Sequence, residues 1–392
     1  MSTIPAVGPC VDESEIRQLE LLLQDTFVIP AERSRTYFEA AGIANLRAIR
    51  RDSRLAGGLV LLPLGQWFGG RSVPMTGLAA VMVAPEFRAR GVATELLRSV
   101  LTEMHAAGTA LSTLYPATVA LYRRVGYECA GIACDVGLPL RSIDLRDRAL
   151  ELRPARLEDD AGMQAVYAHW ASRTAGQLDR SPVIWLRARQ PRGATTQAFV
   201  VGNAGKIDGY LFVLTETTAP RRYDLRVSDW AARTPAAARR LLTYLADERT
   251  VRGRATWRSS PADPMLLHLA EAPYEFTGSH PWMVRVVHVA NALAARGYPP
   301  GVRAELHLQV HDDLLPANDG RWVLHVADGQ GMGTRGGRGT FDLHVRGLAA
   351  LYTGFLSPQD LVLAQLASAP ETELAAAATI FGGPLPWMRD EY

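Results

Sequence analysis

The chain has 392 residues, 48 % hydrophobic and 21 % charged, with a formal net charge of +2. That is length for about two to four domains with real cores, too apolar for a disordered polymer and too nearly neutral for a general binder of nucleic acid or membrane surface. Cys10, Cys129 and Cys134 have no metal-ligand spacing, and no apolar stretch approaches the roughly 18 residues of a membrane span. The first residues, MSTIPAVGPCVDESE, lack the basic and apolar segments of a signal peptide, so a cytoplasmic protein is expected.

Residues 12–27 carry apolar side chains at helical spacing (Ile16, Leu19, Leu22, Leu23), and 31–41 read as a second helix. Strand-like runs follow at 45–50, 55–64 and 73–84, punctuated by glycines. A helix is predicted from Gly91 to about Ala107, then a short buried strand at 110–115 and a helix at 117–125. YECAGIACDVGLPL reads as a pair of strands.

From residue 151 the order starts again. ELRPARLEDD (151–160) is a strand passing into helix-favouring acidic residues, a helix follows through Ala171 and another near 181–190, and QAFVVGNAGKIDGYLFVLTET is a hairpin turning at 202–205. YDLRVSDW is a strand, TPAAARRLLTYLADE a helix with Pro235 in its first turn, RATWRSS a strand and DPMLLHLAE a helix. The recurrence implies an internal duplication at a spacing of roughly 140–150 residues. The third section begins near Met283. VVHVANALAARGYP is a strand-then-helix unit, strands follow at 303–311, 321–327 and 339–345, and DGQGMGTRGGRG is a Gly-rich turn between the last two. Three helical stretches precede the ending GGPLPWMRDEY. The fold class is α/β, or α+β.

The segment VAPEFRARGVATELL, 83–97, carries the chemistry. A strand handing over to a helix through small residues aims several backbone N–H groups at one place, where the helix dipole also favours an anion. Gly91 and Ala93 admit close approach, and Arg88 and Arg90 add charge-assisted donors. The turn reads as a pyrophosphate cradle, although surface arginines and a glycine at such a turn are common without one. In the second half, SDWAARTPAAARRLL has no glycine and places Pro235 at the helix start, so that cradle is lost and a structural module without a bound anion is expected.

Arg88-Ala89-Arg90-Gly91-Val92-Ala93 fits R-x-x-G-x-A, the acyl-CoA motif of GNAT-type N-acetyltransferases, and LYRRVGYECAG (121–131) resembles the GNAT helix whose Tyr lies beside the thioester sulfur. The whole chain resembles the Eis (enhanced intracellular survival) type: tandem GNAT-like acyl-CoA N-acyltransferase domains, then a sterol-carrier-protein-like (SCP2-like) domain. The implied boundaries are 1–150 for the catalytic domain, 151–284 for a degenerate GNAT-like domain and 285–392 for the sterol-carrier-like domain, which supplies the C-terminus.

The resemblance implies acetyl-CoA as co-substrate and no metal. Val81, Met82 and Val83 would pair with the pantetheine arm by their backbone, Arg88, Ala89, Arg90, Gly91, Val92, Ala93 and Thr94 would hold the pyrophosphate, and Ala117 and Thr118 would touch the cofactor. The plain alternative is that these are sheet core and ordinary helix-start residues. Tyr122 is the implied general acid for the leaving thiolate, with Tyr127 a strand residue. The strand PMTGLAAVMV has no carboxylate, so a base must come from elsewhere; the resemblance assigns it to the α-carboxylate of Tyr392, where the family usually ends in Phe.

Asp390 and Glu391 would then lie near the substrate. Asp25, Glu32, Trp67 and Phe68 (the last two in a loop) are secondary candidates, and His105 reads as a solvated helix residue. The implied acceptor is a small-molecule amine, such as an aminoglycoside or polyamine, and the implied assembly a homo-oligomer, a hexamer. Two other readings stay open: a lipid- or sterol-carrying protein with a vestigial acetyltransferase half, and an acetyltransferase acting on a small metabolite amine or a peptide.

Overall fold

In the computed structural model, which describes residues 6–203 and 205–392, the chain begins with a short strand, β1 (Val7–Pro9). Residues 1–5, where the sequence reading of the N-terminus starts, and Ala204 in the expected hairpin turn lie outside the described residues. The Asp12 side chain accepts from the Glu15 N–H and starts α1 (Glu13–Phe27), the usual capping role of a short polar side chain. Next come α2 (Ala31–Ala41), β2 (Leu46–Arg51), β3 (Arg54–Phe68), β4 (Arg71–Val83), α3 (Val92–Ala106), β5 (Leu111–Leu114) and α4 (Val119–Arg123).

The chain continues through β6 (Glu128–Pro139), β7 (Glu151–Pro154), α5 (Asp160–Ala171), β8 (Leu178–Asp179), α6 (Pro182–Arg189), β9 (Gln197–Gly202), β10 (Gly209–Ala219), β11 (Arg222–Ala232), α7 (Pro235–Asp247) and β12 (Arg254–Ser259). The remainder is β13 (Glu275–Val286), α8 (Val289–Ala295), β14 (Ala304–His311), β15 (Gly320–Ala327), β16 (Gln330–Arg335), β17 (Phe341–His344), α9 (Val345–Thr353), α10 (Pro358–Leu363), β18 (Ala367–Ser368) and α11 (Glu371–Phe381).

Two compact units result: one gathers residues up to 130, then 282–383 and Tyr392, the other 131–281 and 384–391. In the first, β2, β3 and β4 form an antiparallel run, and β5 joins β4 in parallel. α3 covers one sheet face with Leu96, Leu97, Val100 and Leu101 against Leu59, Leu61 and Leu78. α1 and α2 cover the other with Leu19, Leu23 and Phe38 against Val60, Leu62 and Ala79. The same unit holds a smaller sheet in the order β16-β15-β14-β17-β18. In the second unit β7, β9, β10 and β11 are antiparallel neighbours, β12 lies parallel to β11, and β6 pairs antiparallel with β12. The mixed α/β class and the repeated order of elements are as the sequence implies.

Some elements differ from the sequence reading. YECAGIACDVGLPL is one continuous strand, because the ladder of β6 to β12 runs unbroken from Cys134 to Pro139. DPMLLHLAE forms only a single 3-10 turn, Pro264–His268. The Gly-rich segment 328–339 contains β16; its Gly331 leaves room for the Tyr298 ring, which a Cβ would meet at 2.3 Å. Trp67 and Phe68 end β3 instead of lying in a loop, and Phe68 is buried edge-on to Tyr352, with ring centroids 5.5 Å apart.

His105 is half-buried, not a solvated helix residue. Its ring stacks on His288 at 5.0 Å, and Nε2 is sealed without a partner among the described residues. Burial pushes its pKa below 6.5; His288 and Arg285 add to this and Asp312 opposes it. The unfolded chain therefore binds the extra proton, so this contribution to stability is lost as pH falls through about 6.5. His105→Phe should flatten the decline in urea-unfolding free energy between about pH 7 and 5, leaving the part due to His169 and His344, which are shifted the same way. An unchanged slope would remove His105 from the titration.

Candidate active site

β4 and β5 pair over three rungs only, Met75, Thr76 and Gly77 against Leu111, Ser112 and Thr113. Beyond Gly77 a bulge interrupts β4: Ala80 and Val81 together oppose Leu59, and Ala80 takes φ 49°. A bulge bends and twists its strand, and here it coincides with the parting of β4 from β5. Ala84 donates to Ala56 of β3, so by strand alternation Met82 shares that edge while Val81 and Val83 turn their peptide groups to the opposite, open one. The Val83 carbonyl accepts from Arg88 Nε at 3.1 Å.

The chain then turns through Pro85–Phe87 into α3. Gly91 is the N-cap at φ 78°, a Cβ there would meet nothing within 4 Å, and no side chain caps the helix. The N–H groups of Val92, Ala93 and Thr94 therefore precede the first intrahelical bond, which runs from Glu95 to Gly91, and point out of the helix end. Arg88, Ala89 and Arg90 are exposed. Beside them an open cleft of about 600 Å³ is lined by Gly91, Thr94, Glu95, Arg98 and Arg124. Glu95 is already paired with Arg51, so its charge is answered locally. Arg98 and Arg124 form no ion pair among the described residues and were missed by the motif. Helical spacing is the signal that would have found Arg98, which shares a face with Gly91, Thr94 and Glu95.

Ala117 is exposed, and Thr118 is the exposed N-cap of α4 with no side-chain capping bond. Tyr122 on α4 is 5 % exposed, and its hydroxyl bonds no protein group among the described residues. Burial pushes its pKa up to about 12, so it stays protonated at neutral pH. Tyr127 lies edge-on to it at 6.0 Å, fully buried one residue before β6, donating to Ser112 Oγ at 2.7 Å. Tyr127, expected as a strand residue, thus lies just outside β6 with its hydroxyl engaged by Ser112. Glu128, also missed, is 3 % exposed and bonds Arg123 at 2.7 Å and Arg346 at 2.5 Å; burial opposes its charge, but these guanidiniums hold its pKa below the ordinary value. Its carboxylate is occupied in fixing the loop after α4.

The Tyr392 ring sits on the last rung of the β4–β5 pair. Its hydroxyl hydrogen-bonds Thr113 Oγ1, a Cβ on Gly77 would meet the ring at 2.6 Å, and Tyr115 stands edge-on at 6.3 Å. Gly77 is thus a seat for the terminal side chain, a role invisible without the fold. Asp25 and Glu32 are exposed and free of ion pairs among the described residues.

In the second unit the segment before Tyr392 is fixed by buried charges. Arg180 pairs with Asp229 at 2.5 Å and Asp390 at 2.8 Å, and Arg389 pairs with Asp229 at 2.8 Å. All four are at most 9 % exposed. Burial would raise the pKa of Asp229, but Arg180 and Arg389 hold it well below the carboxylate range. Glu391 pairs with Arg258 at 2.6 Å. The structure therefore engages Asp390 and Glu391 with arginines, where the sequence reading put them beside the substrate.

Among the described residues no group of three His, Cys, Asp or Glu could hold a metal ion, the three cysteines are free, and no helix is long and apolar enough to cross a membrane.

Family profiles match an acetyltransferase (GNAT) domain at residues 11–130, a second GNAT domain at 176–286 and a sterol carrier protein domain at 289–389. A GCN5-related N-acetyltransferase from Anabaena variabilis superposes with a TM-score of 0.94 at 38 % identity, covering 98 % of this chain and all of that one. The chain belongs to the Eis-type GNAT N-acetyltransferase family. An uncharacterized N-acetyltransferase from Streptomyces avermitilis is 29 % identical over 345 residues, 82 % of either chain. The N-acetyltransferase Eis of Mycobacterium tuberculosis is 26 % identical over 279 residues, 66 % of this chain and 65 % of its own. This protein is an acetyltransferase, and GNAT acetyltransferases use acetyl-CoA.

The four-charge cluster has a measurable consequence. Removing one member strands an opposite charge in a dry site, which costs about 3–5 kcal/mol. Asp229→Ala should lower unfolding free energy by about that much in urea melts. A loss under about 1 kcal/mol would show that water reaches the cluster.

Proposed function

We propose that this acetyltransferase moves an acetyl group from acetyl-CoA to a primary amine of a cationic small molecule, by direct attack at the fork between β4 and β5. The observation that carries the reading is that fork: an open strand edge at Val81 and Val83 leading to the uncapped N–H groups of Val92, Ala93 and Thr94. In this reading Val81, Met82 and Val83 receive the pantetheine arm as an added strand. Arg88 to Thr94 hold the pyrophosphate, with Arg98 and Arg124 supplying further charge on the same cleft. Ala117 and Thr118 flank the arm where α4 begins.

Tyr122 serves the leaving sulfur. A phenol near 12 is a weaker acid than a thiol near 8.5, so it keeps its proton and hydrogen-bonds the sulfur before reaction; the proton it passes to the thiolate as the C–S bond breaks moves uphill, and solvent returns one to the phenolate. The attacking amine must lose a proton, and the α-carboxylate of Tyr392 accepts it directly or through water. The seating of the Tyr392 ring at the fork supports this assignment. The acceptor class, an aminoglycoside or polyamine, comes from the resemblance to Eis-type enzymes, as do a homohexamer and a cytoplasmic location. Exposed Asp25 and Glu32 are compatible with a cationic acceptor. The same resemblance divides the chain at 1–150, 151–284 and 285–392.

A thiol-release assay with acetyl-CoA against aminoglycosides, polyamines, amino acids and peptides tests reaction and acceptor together. No release with any amine would end the proposal; turnover only of amino acids or peptides would replace the acceptor. Tyr122→Phe should lower kcat roughly 100-fold or more with the KM for acetyl-CoA little changed. Because the phenol is protonated below about 12, wild-type kcat should show no descending limb from Tyr122 up to pH 10. Appending two residues after Tyr392 should abolish most activity, and full activity in the extended chain would remove the terminal carboxylate from the mechanism. Calorimetry should find one acetyl-CoA per chain.

A further inference from the structure

The second unit repeats the fork of the first. β11 and β12 run parallel and pair only at Leu225 and Arg226 against Ala255 and Thr256. Trp230 follows the last rung by four residues, as Val81 follows Gly77 in the first unit. The neighbouring strand-to-helix turn has spent its donors: Arg233 N–H bonds Asp208 O, Pro235 has no N–H, and Ala237 N–H bonds Thr234 Oγ1 at 3.2 Å. An anion finds few free amides there.

The chain's own end fills this fork. Arg389 donates to the Trp230 carbonyl and to Asp229. Gln177 clamps the segment in both directions, donating to Trp387 O at 2.9 Å and accepting from Arg389 N–H at 3.3 Å. Trp387 N–H bonds Ala175 O and Ile132 N–H bonds Pro386 O, so main chain is gripped on two sides. The Arg389 guanidinium lies 4.3 Å over the Trp170 ring and the Arg180 guanidinium 3.9 Å over Tyr167. Tyr210 donates to Asp229 at 2.7 Å. Two guanidiniums and two carboxylates close this cluster at zero net charge, a pattern that admits one arrangement of the segment and opposes partial release.

We propose that the second GNAT-like module has become the receptor for the chain's carboxy-terminal segment, Pro384–Glu391, and that Arg180, Asp229 and Gln177 are positioning residues for acetyl transfer. By fixing Arg389 and Asp390 they restrict where Tyr392, two residues further on, places its carboxylate. The positioning half of the proposal rests on the reading that Tyr392 takes part in the reaction.

The test uses the full chain. Hydrogen exchange of residues 384–392 is followed beside kcat and KM in wild type, Asp390→Asn and Gln177→Ala. The second variant removes no charge and keeps the proposal testable if the first misfolds. Both variants should speed exchange of the segment at least tenfold and lower kcat at least tenfold, with the KM for acetyl-CoA within twofold. Leu241→Ala, a core truncation in the same unit at a side chain that makes none of the segment's hydrogen bonds or ion pairs, controls for general destabilisation and should leave kcat and segment exchange near wild type. Unchanged exchange in both variants would overturn the receptor role. Faster exchange with unchanged kcat, or a kcat loss matched by Leu241→Ala, would overturn the positioning role. The chain extended beyond Tyr392 separates the two readings: if it keeps full activity while its segment stays protected, the base assignment fails and the receptor stands.

Discussion

Everything at the site follows from two parallel strands that stay together for three rungs and then separate. Parallel pairing needs both strands to keep the same twist, and the bulge at Ala80 denies β4 that option. The separation exposes one edge of β4 and aims it at the uncapped start of α3. Its apex, the Gly77–Thr113 rung, is also where the Tyr392 ring is seated. An edge for an extended ligand, amides for an anion and a place for the chain end are thus products of one backbone event.

Much of this could be read in the residues. The apolar spacing of α1 and α3, the strand runs of β2 to β5 and the turn at Gly91 all have local signals, and the structure carries them with ends shifted by a few residues. The failures share a cause: the deciding neighbour is remote in sequence. Gly331 resembles a turn glycine until the Tyr298 ring is seen to need its space. Phe68 stands directly before Gly69 and Gly70, and only the Tyr352 ring shows it to be core. At the candidate site, the motif pointed to the turn at Gly91 and to Tyr122, but the surroundings of Arg98, Arg124, Glu128 and Gly77 are legible only once helices and strands are in place. Asp390, expected near the substrate, shows the same limit: its partner Arg180 lies 210 residues away in the sequence.

The two units put the same architecture to different use. In the first, the donors around the fork are unspent and its charges are exposed arginines. In the second, the turn donors are satisfied internally and the charges are buried and balanced. A site that must release product cannot be so fully satisfied, whereas one that holds a permanent segment has no need to be open. That contrast in donors and charges distinguishes the two units more sharply than loss of the glycine motif alone.

Ala80 adopts a left-handed conformation that would suit glycine and costs an alanine roughly 1–2 kcal/mol. A glycine there would make the bend easy and also loose. The methyl group narrows the range of angles the strand can sample, and the flanking ladder to β3 must hold it against that resistance. The kink is therefore stiffer than glycine would make it, and the parting of β4 from β5 is set by the folded backbone.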